Sequence, residues 1–247
     1  MALDTKPVPA AIRPTGRDLK ILREFYTTLR AGHIGLSDGG GPFGFDIHLA
    51  LLIDRLVTGY ACDAVLETGC YVGDTTDYLA RTYPGLPIWT CDVYEPHAEF
   101  TRARVAKHSN ATVERCDGAE LVGRGTARFR RPLIFLDAHG VQGDWPLRRE
   151  LAAVARGVVV VHDFDIGHER FSFDTWDGTA CDEHLLASVP SLPGEYFVPE
   201  PGSAWPLPCL QIGRRAGYAV MAVGFDPAPL LAEPHLSART LKEAVSA

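Results

Sequence analysis

Val65-Leu66-Glu67-Thr68-Gly69-Cys70-Tyr71-Val72-Gly73-Asp74-Thr75-Thr76 is the stretch that decides how this chain reads. An apolar run closes on an acid, turns through two glycines four residues apart, and enters a stretch of helical character at 75–81. Where a strand hands over to a helix, glycine lets backbone approach a ligand closely, and the first helical turn offers unpaired N–H groups. Such a turn suits a nucleotide-type ligand. The spacing disfavours NAD or FAD, because a GxGxxG fingerprint starting at Gly69 needs glycine at 71 and 74, where this chain has Tyr71 and Asp74.

The chain around this turn has the makeup of an ordinary globular protein. Its 247 residues are 46% hydrophobic and 22% charged, enough for one α/β domain with a sizeable core. A net charge of −7 argues against a nucleic-acid partner, which needs a basic stripe to neutralise phosphates. Arg128, Arg130 and Arg131 form the one tight basic group and read as a solvated turn. The 6 cysteines are scattered without a CxxC pair, so they read as reduced thiols and not as a disulfide frame or zinc knuckle. Residues 1–15 lack the apolar core of a signal peptide, and no stretch reaches membrane-spanning length. The expectation is a cytoplasmic protein with no membrane partner; a homo-oligomer stays open.

Outward from the turn, strand and helix patterns alternate. Helical spacing at 17–30 and 46–57 marks an N-terminal arm and helical cap over 1–60, in which His33, Asp38 and His48 are candidate lining residues. From 61 to 226 the pattern gives strands at 64–68, 87–92, 111–116, 132–137 and 158–163, with helices at 75–82, 96–108, 118–123 and 145–155 between them. This alternation predicts a doubly wound, Rossmann-like parallel sheet whose ligands sit beyond the carboxyl ends of its strands. A helix over 179–188 and strands at 195–198 and 218–223 follow, so the sheet has about seven strands and ends in an antiparallel pair. Residues 227–247 read as a C-terminal tail with a short helix at 238–245.

The polar residues that close the strands therefore carry the functional reading. Asp92 closes the second strand, where an acid can accept both ribose hydroxyls of a nucleoside. Asp117 follows the third. For both, a helix N-cap acid is the competing reading. The fourth strand ends in Asp137-Ala138-His139 and the fifth in His162-Asp163, which brings four metal-type ligands to one rim of the sheet. Asp144, Asp165 and His168 are nearby polar candidates, and Tyr71, Trp145, Phe164 and Trp176 are candidates to wall an apolar acceptor.

Glu67-x-Gly69-x-x-x-Gly73 resembles motif I of class I S-adenosylmethionine (SAM) methyltransferases, and its wording is similar to that of catechol-type, metal-dependent O-methyltransferases. The strand-four and strand-five ends resemble the metal site of magnesium-dependent O-methyltransferases of macrolide and aminocoumarin tailoring. Over about 63–225 the resemblance implies a SAM pocket at Glu67, Gly69, Tyr71, Gly73, Thr75, Asp92 and Asp117. It implies a divalent metal, magnesium or manganese, at Asp137, His162 and Asp163, with His139 as general base. His162 stands where that group has another acid, and a nitrogen donor shifts preference toward manganese, iron or zinc, or away from any metal. The implied activity is methylation of a hydroxyl on a small molecule such as a sugar or natural-product scaffold. A metal-independent N- or O-methyltransferase, a metal-dependent hydroxylase or hydrolase, and a non-catalytic SAM-binding subunit are the alternatives.

Overall fold

The computed structural model describes residues 12–31, 40–139, 145–211 and 213–241. The chain begins with α1 (Gly16–Thr27), a 3-10 turn (Pro42–Phe45) and α2 (Ile47–Gly59). Then β1 (Ala64–Thr68), α3 (Asp74–Thr82), β2 (Ile88–Asp92), α4 (Glu95–Val105), β3 (Ala111–Arg115), α5 (Gly118–Arg128) and β4 (Pro132–Leu136) alternate. They are followed by α6 (Leu147–Ala152), β5 (Gly157–His162) and three short strands, β6 (Phe171–Ser172), β7 (Thr175–Trp176) and β8 (Thr179–Ala180). The chain closes with α7 (Glu183–Ala187), β9 (Glu195–Pro199), β10 (Arg215–Ala216), β11 (Tyr218–Val223), α8 (Ala228–Leu231) and β12 (Leu236–Thr240).

The main sheet has 8 strands in the order β12-β9-β11-β5-β4-β1-β2-β3. The pairings from β3 through β5 are parallel, and β11 pairs antiparallel to both β5 and β9. The doubly wound sheet with an antiparallel end is thus as the alternation predicts. Alternate residues of each strand feed opposite faces. Val65, Phe135, Val160 and Val220 pack under α1, α2, α3 and α8, while Leu66, Ile134, Val161 and Met221 pack under α5, α6 and α7.

The helix at 46–57 is a core element. Leu49, Leu52, Ile53 and Leu56 of α2 are buried against the sheet, and each such side chain stabilises the fold by about 1.5–3 kcal/mol. Asp46 caps its start, accepting from the backbone N–H groups of His48 and Leu49.

Three expectations change. Residues 236–240, read as tail, form the edge strand β12, paired antiparallel along β9. The helix placed at 238–245 is therefore absent over its described part: the unpaired backbone of β9 outcompetes weak helical spacing. The helix at 179–188 shrinks to Glu183–Ala187, because Asp182 accepts from His184 N and Leu185 N and fixes its start. The helix at 118–123 instead runs to Arg128. Gly123 and Gly125 look like stops in sequence, but a Cβ at Gly125 would lie 2.4 Å from Leu66 Cδ1, so that glycine lets α5 settle onto β1. No helix among the described residues is long and apolar enough to cross a membrane.

Candidate active site

Register assembles the site. Thr68 pairs with Leu136 and Leu136 with Val161, so the turn after β1, the Asp137 segment after β4 and the end of β5 lie side by side on the carboxyl rim. Gly69 sits at φ +75, and a Cβ on it would lie 2.6 Å from Asp137 O and 2.7 Å from Ala138 Cα. The glycine is required first by the protein's own backbone. Gly73, at φ +74, starts α3 in the left-handed region.

Glu67 is buried and accepts from Thr76 Oγ1 at 2.5 Å. Burial, opposed by bonds from Thr76 and Thr90, raises its pKa to about 7. Asp74 and Thr75 tie Ala31, Gly41 and Phe43 to the turn: Asp74 accepts from Ala31 N and Gly41 N and pairs with Arg104, and Thr75 Oγ1 accepts from Phe43 N.

Two cavities meet at Gly69, Tyr71, Asp137 and His139. The first, of about 320 Å³, runs past Asp92, Val93, Tyr94, Cys116 and Gly118 and is mainly apolar. Asp92 lies at its wall, accepting from Tyr71 N at 3.1 Å and Tyr94 N at 2.9 Å. A carboxylate has lone pairs left for further hydroxyl donors. Asp117 is not among the lining residues. It caps α5 through Ala119 N and pairs with Arg149 Nη1 at 2.9 Å, so the capping reading describes its contacts.

The second cavity, of about 500 Å³, is of mixed polarity and is lined in part by Glu67, Thr75, Asp137, His139, His162 and Asp163. Asp137, His139 and Asp163 each direct a ligand atom to a common region, all within 4.8 Å of one another. His139 Nε2 is 3.9 Å from both Asp137 Oδ1 and Asp163 Oδ2, while its Nδ1 lies 2.6 Å from Asp174 Oδ2. The bond to Asp174, followed by the pull of Asp137 and Asp163, outweighs burial and raises the His139 pKa to about 9.

His162 stands behind this group and not within it. Its Nδ1 bridges Asp137 Oδ1 at 2.8 Å and Asp163 Oδ2 at 3.1 Å, and its Nε2 is buried without a partner among the described residues. Burial opposes its charge, but the two carboxylates prevail and hold its pKa well above the ordinary value. Asp163 is correspondingly lowered: burial resists ionisation, and His162 and His139 overcome it. The geometry therefore groups His139, where the sequence put His162, with the two acids.

Other expectations fall away from the site. Phe164 is fully buried against Tyr196 and lines neither cavity. Asp165 accepts from Gly167 N, and His168 Nδ1 from Arg170 N. His33, Asp38 and Asp144 lie outside the described residues. Sequence reading missed Asp174, Ser172, Gln211 and Arg214, all contributed by the short-strand region beyond β5.

No protein-family model and no curated protein matches the chain. Several solved structures are similar in fold. A candidate O-methyltransferase from Nostoc punctiforme aligns over 71% of this chain and 56% of its own, at 14% identity and TM-score 0.49, so this chain spans little more than half of that protein. An O-methyltransferase from Bacillus cereus, solved with S-adenosylhomocysteine, aligns over 85% of this chain and 92% of its own, at 16% identity and TM-score 0.47. The N-methyltransferase NodS from Bradyrhizobium japonicum aligns over 71% and 94%, at 15% identity and TM-score 0.47. These scores are too low to carry an argument about activity, which rests on the site itself.

Proposed function

We propose that this chain is a SAM-dependent O-methyltransferase that acts on a hydroxyl of a small molecule, a sugar or natural-product scaffold, with a divalent cation at Asp137 and Asp163. The observation that carries the reading is the convergence of Asp137, His139 and Asp163 in a cavity that shares Gly69 and Tyr71 with an apolar cavity ending at Asp92. One cavity suits a nucleoside and the other an acceptor, and they meet where a methyl group would cross.

The donor set suits a cation. Two carboxylates face one region with the His139 imidazole beside them, and among the described residues His162 and His139 are the basic groups within ion-pair distance of the acids. When bound, a divalent cation would supply Lewis acidity at the acceptor hydroxyl and offset Asp137 and Asp163, which after Asp174 raise the His139 pKa. The chain's own residues do the rest. Asp137 and Asp163 would hold that cation, and His162 Nδ1 locks both carboxylates in place. Asp174 orients His139 through Nδ1, which leaves Nε2 to take the hydroxyl proton. That nitrogen cannot serve as base and metal ligand together. Glu67, Gly69, Gly73 and Asp92 shape the cofactor side.

A metal-independent methyltransferase is the second reading, favoured by the way His162 already satisfies both acids. Calorimetric titration of chelator-treated protein with S-adenosylhomocysteine, repeated with magnesium or manganese, separates these readings. Binding is expected in both conditions, with a metal-binding heat that Asp163→Asn removes. Absence of any binding would overturn the methyltransferase reading, and absence of the metal heat would leave the metal-independent one.

A further inference from the structure

Beside the acceptor cavity lies a cleft of about 440 Å³. It shares Gln211 and Arg214 with the cavity that holds Asp137, His139 and Asp163, so the two adjoin. Its chemistry differs from that of the acidic rim.

In a chain of net charge −7, carboxylates are plentiful, and Arg17, Arg55, Arg104 and Arg124 each have one as partner. Arg170 and Arg214 line this cleft, and among the described residues no carboxylate is in ion-pair contact with either. Arg214 is held in place, its Nε donating to Phe171 O at 3.0 Å with one Nη on the same oxygen, which leaves the other Nη free of those bonds. Arg170 Nη1 has only a 3.4 Å contact with Pro201 O. Arg215, by contrast, is neutralised by the buried Asp46 at 2.7 Å and serves as wall. Glu169 is the one acid among the lining residues.

Two of the residues that line the cleft also have a buried acceptor with no partner among the described residues. His48 Nε2 lies 2.8 Å from Leu207 O and must carry the proton there, because a carbonyl only accepts. Its Nδ1 is then a bare acceptor, buried and without a partner, on a ring stacked 4.8 Å from Trp205. Burial and the nearby Arg215 lower the His48 pKa and keep that nitrogen unprotonated. Gln211 donates to Arg214 O at 3.3 Å, and its buried Oε1 is likewise unpartnered. Leaving such groups unpaired is costly, and a hydroxyl donor would relieve that cost.

Guanidinium groups without an acid select carboxylate or phosphate, and bare acceptors select hydroxyl donors. We propose that the methyl acceptor is an anionic polyol, its acid group held by Arg214 with Arg170 beside it and its hydroxyls by His48 and Gln211. This deepens the methyltransferase reading and rests on it. The acid group goes to the Arg214 side, away from Glu169, so that one hydroxyl of the same molecule reaches Asp137 and Asp163.

The test is calorimetric titration of the S-adenosylhomocysteine complex, with magnesium present, using D-glucuronate, D-glucose 6-phosphate and neutral D-glucose. At least one anion is expected to bind about tenfold or more tightly than glucose, and whichever does so assigns carboxylate or phosphate as the acid group. The Arg170→Gln/Arg214→Gln double variant is expected to lose that preference. Equal affinity for the three sugars, or a preference that survives in the double variant as ion chelation would, overturns the proposal. Anion preference in a chain that binds no S-adenosylhomocysteine would sink the methyltransferase reading alone.

Discussion

Gly69→Ala tests whether the central turn is built for the protein's backbone or for a ligand. The added Cβ would lie 2.6 Å from Asp137 O, where ordinary contact begins at 3.4 Å, so the Asp137–Ala138 segment must retreat by about 0.8 Å. Overpacking of this kind costs about 1–3 kcal/mol, and an alanine at φ +75 adds about 1–2 kcal/mol. For a chain of this size that lowers Tm by on the order of 5–15 °C. The retreating segment also carries Asp137 and His139, and a misplacement of about 1 Å can cost about 10²-fold in turnover. Differential scanning calorimetry would measure the loss of stability, and magnesium or manganese titration would report the displacement of Asp137. Gly85→Ala, where the Cβ meets nothing within 4 Å, is the control and should melt like the parent. A Gly69→Ala protein with parental Tm and parental metal affinity would refute the reasoning. One that melts normally yet loses S-adenosylhomocysteine would return the glycine to ligand clearance alone.

Other perturbations isolate single groups. Glu67 has a folded pKa of about 7 against an ordinary 4.5, so stability is lost as pH rises from about 4.5 and the loss is complete just above 7. Glu67→Gln should therefore gain up to about 3 kcal/mol on the parent at pH 8 relative to pH 4.5, read by urea denaturation, and a pH-independent difference would contradict the burial argument. Asp163→Asn should weaken divalent-cation binding by about tenfold or more while S-adenosylhomocysteine affinity holds; retained cation affinity would remove Asp163 from the ion site. His139→Ala should cut acceptor turnover by about 10²–10⁴-fold, and a parental rate would end its role as base. Asp174→Asn keeps a hydrogen-bonding partner at His139 but removes the charge. A fall of about tenfold in turnover is expected, and no change would make that contact incidental.

The strands were legible because buried parallel strands are apolar runs that stop on polar residues, and β1 and β11 lie where the sequence places them. The same logic found Asp137, His139, His162 and Asp163 as a group but could not rank them. A strand-end motif gives residue types, and ranking needs the directions of the side chains, which put His162 Nδ1 between the acids and His139 on the open side. Asp174, Gln211 and Arg214 were illegible for a different reason. They come from a region of two-residue strands with no period to read, brought to the rim by non-local pairing of Arg215 with Phe171. Asp117 illustrates the same limit, since a capping acid and a ligand-binding acid after a strand look alike in sequence, and only the structure shows Ala119 N and Arg149 on its two oxygens.

Asp163 shows how local backbone geometry makes the site. Consecutive strand residues point to opposite faces, so His162 and Asp163 should not both reach Asp137. They do, because Asp163 turns to φ +52, which breaks the alternation and returns its carboxylate to within 3.1 Å of His162 Nδ1. Non-glycine residues resist this region, but aspartate and asparagine enter it with less strain than branched side chains do. The conformation is held from outside: Asp163 O accepts from Asp174 N at 2.9 Å, and the next residue donates from Phe164 N to Gly217 O at 3.0 Å. The segment that supplies Asp174 to His139 is thus the same one that pins Asp163 toward Asp137. The orientation of His139 and the placement of the Asp163 carboxylate are set by one structural element, which is why asparagine, and not a β-branched residue, is the substitution at 163 that separates the charge from the backbone.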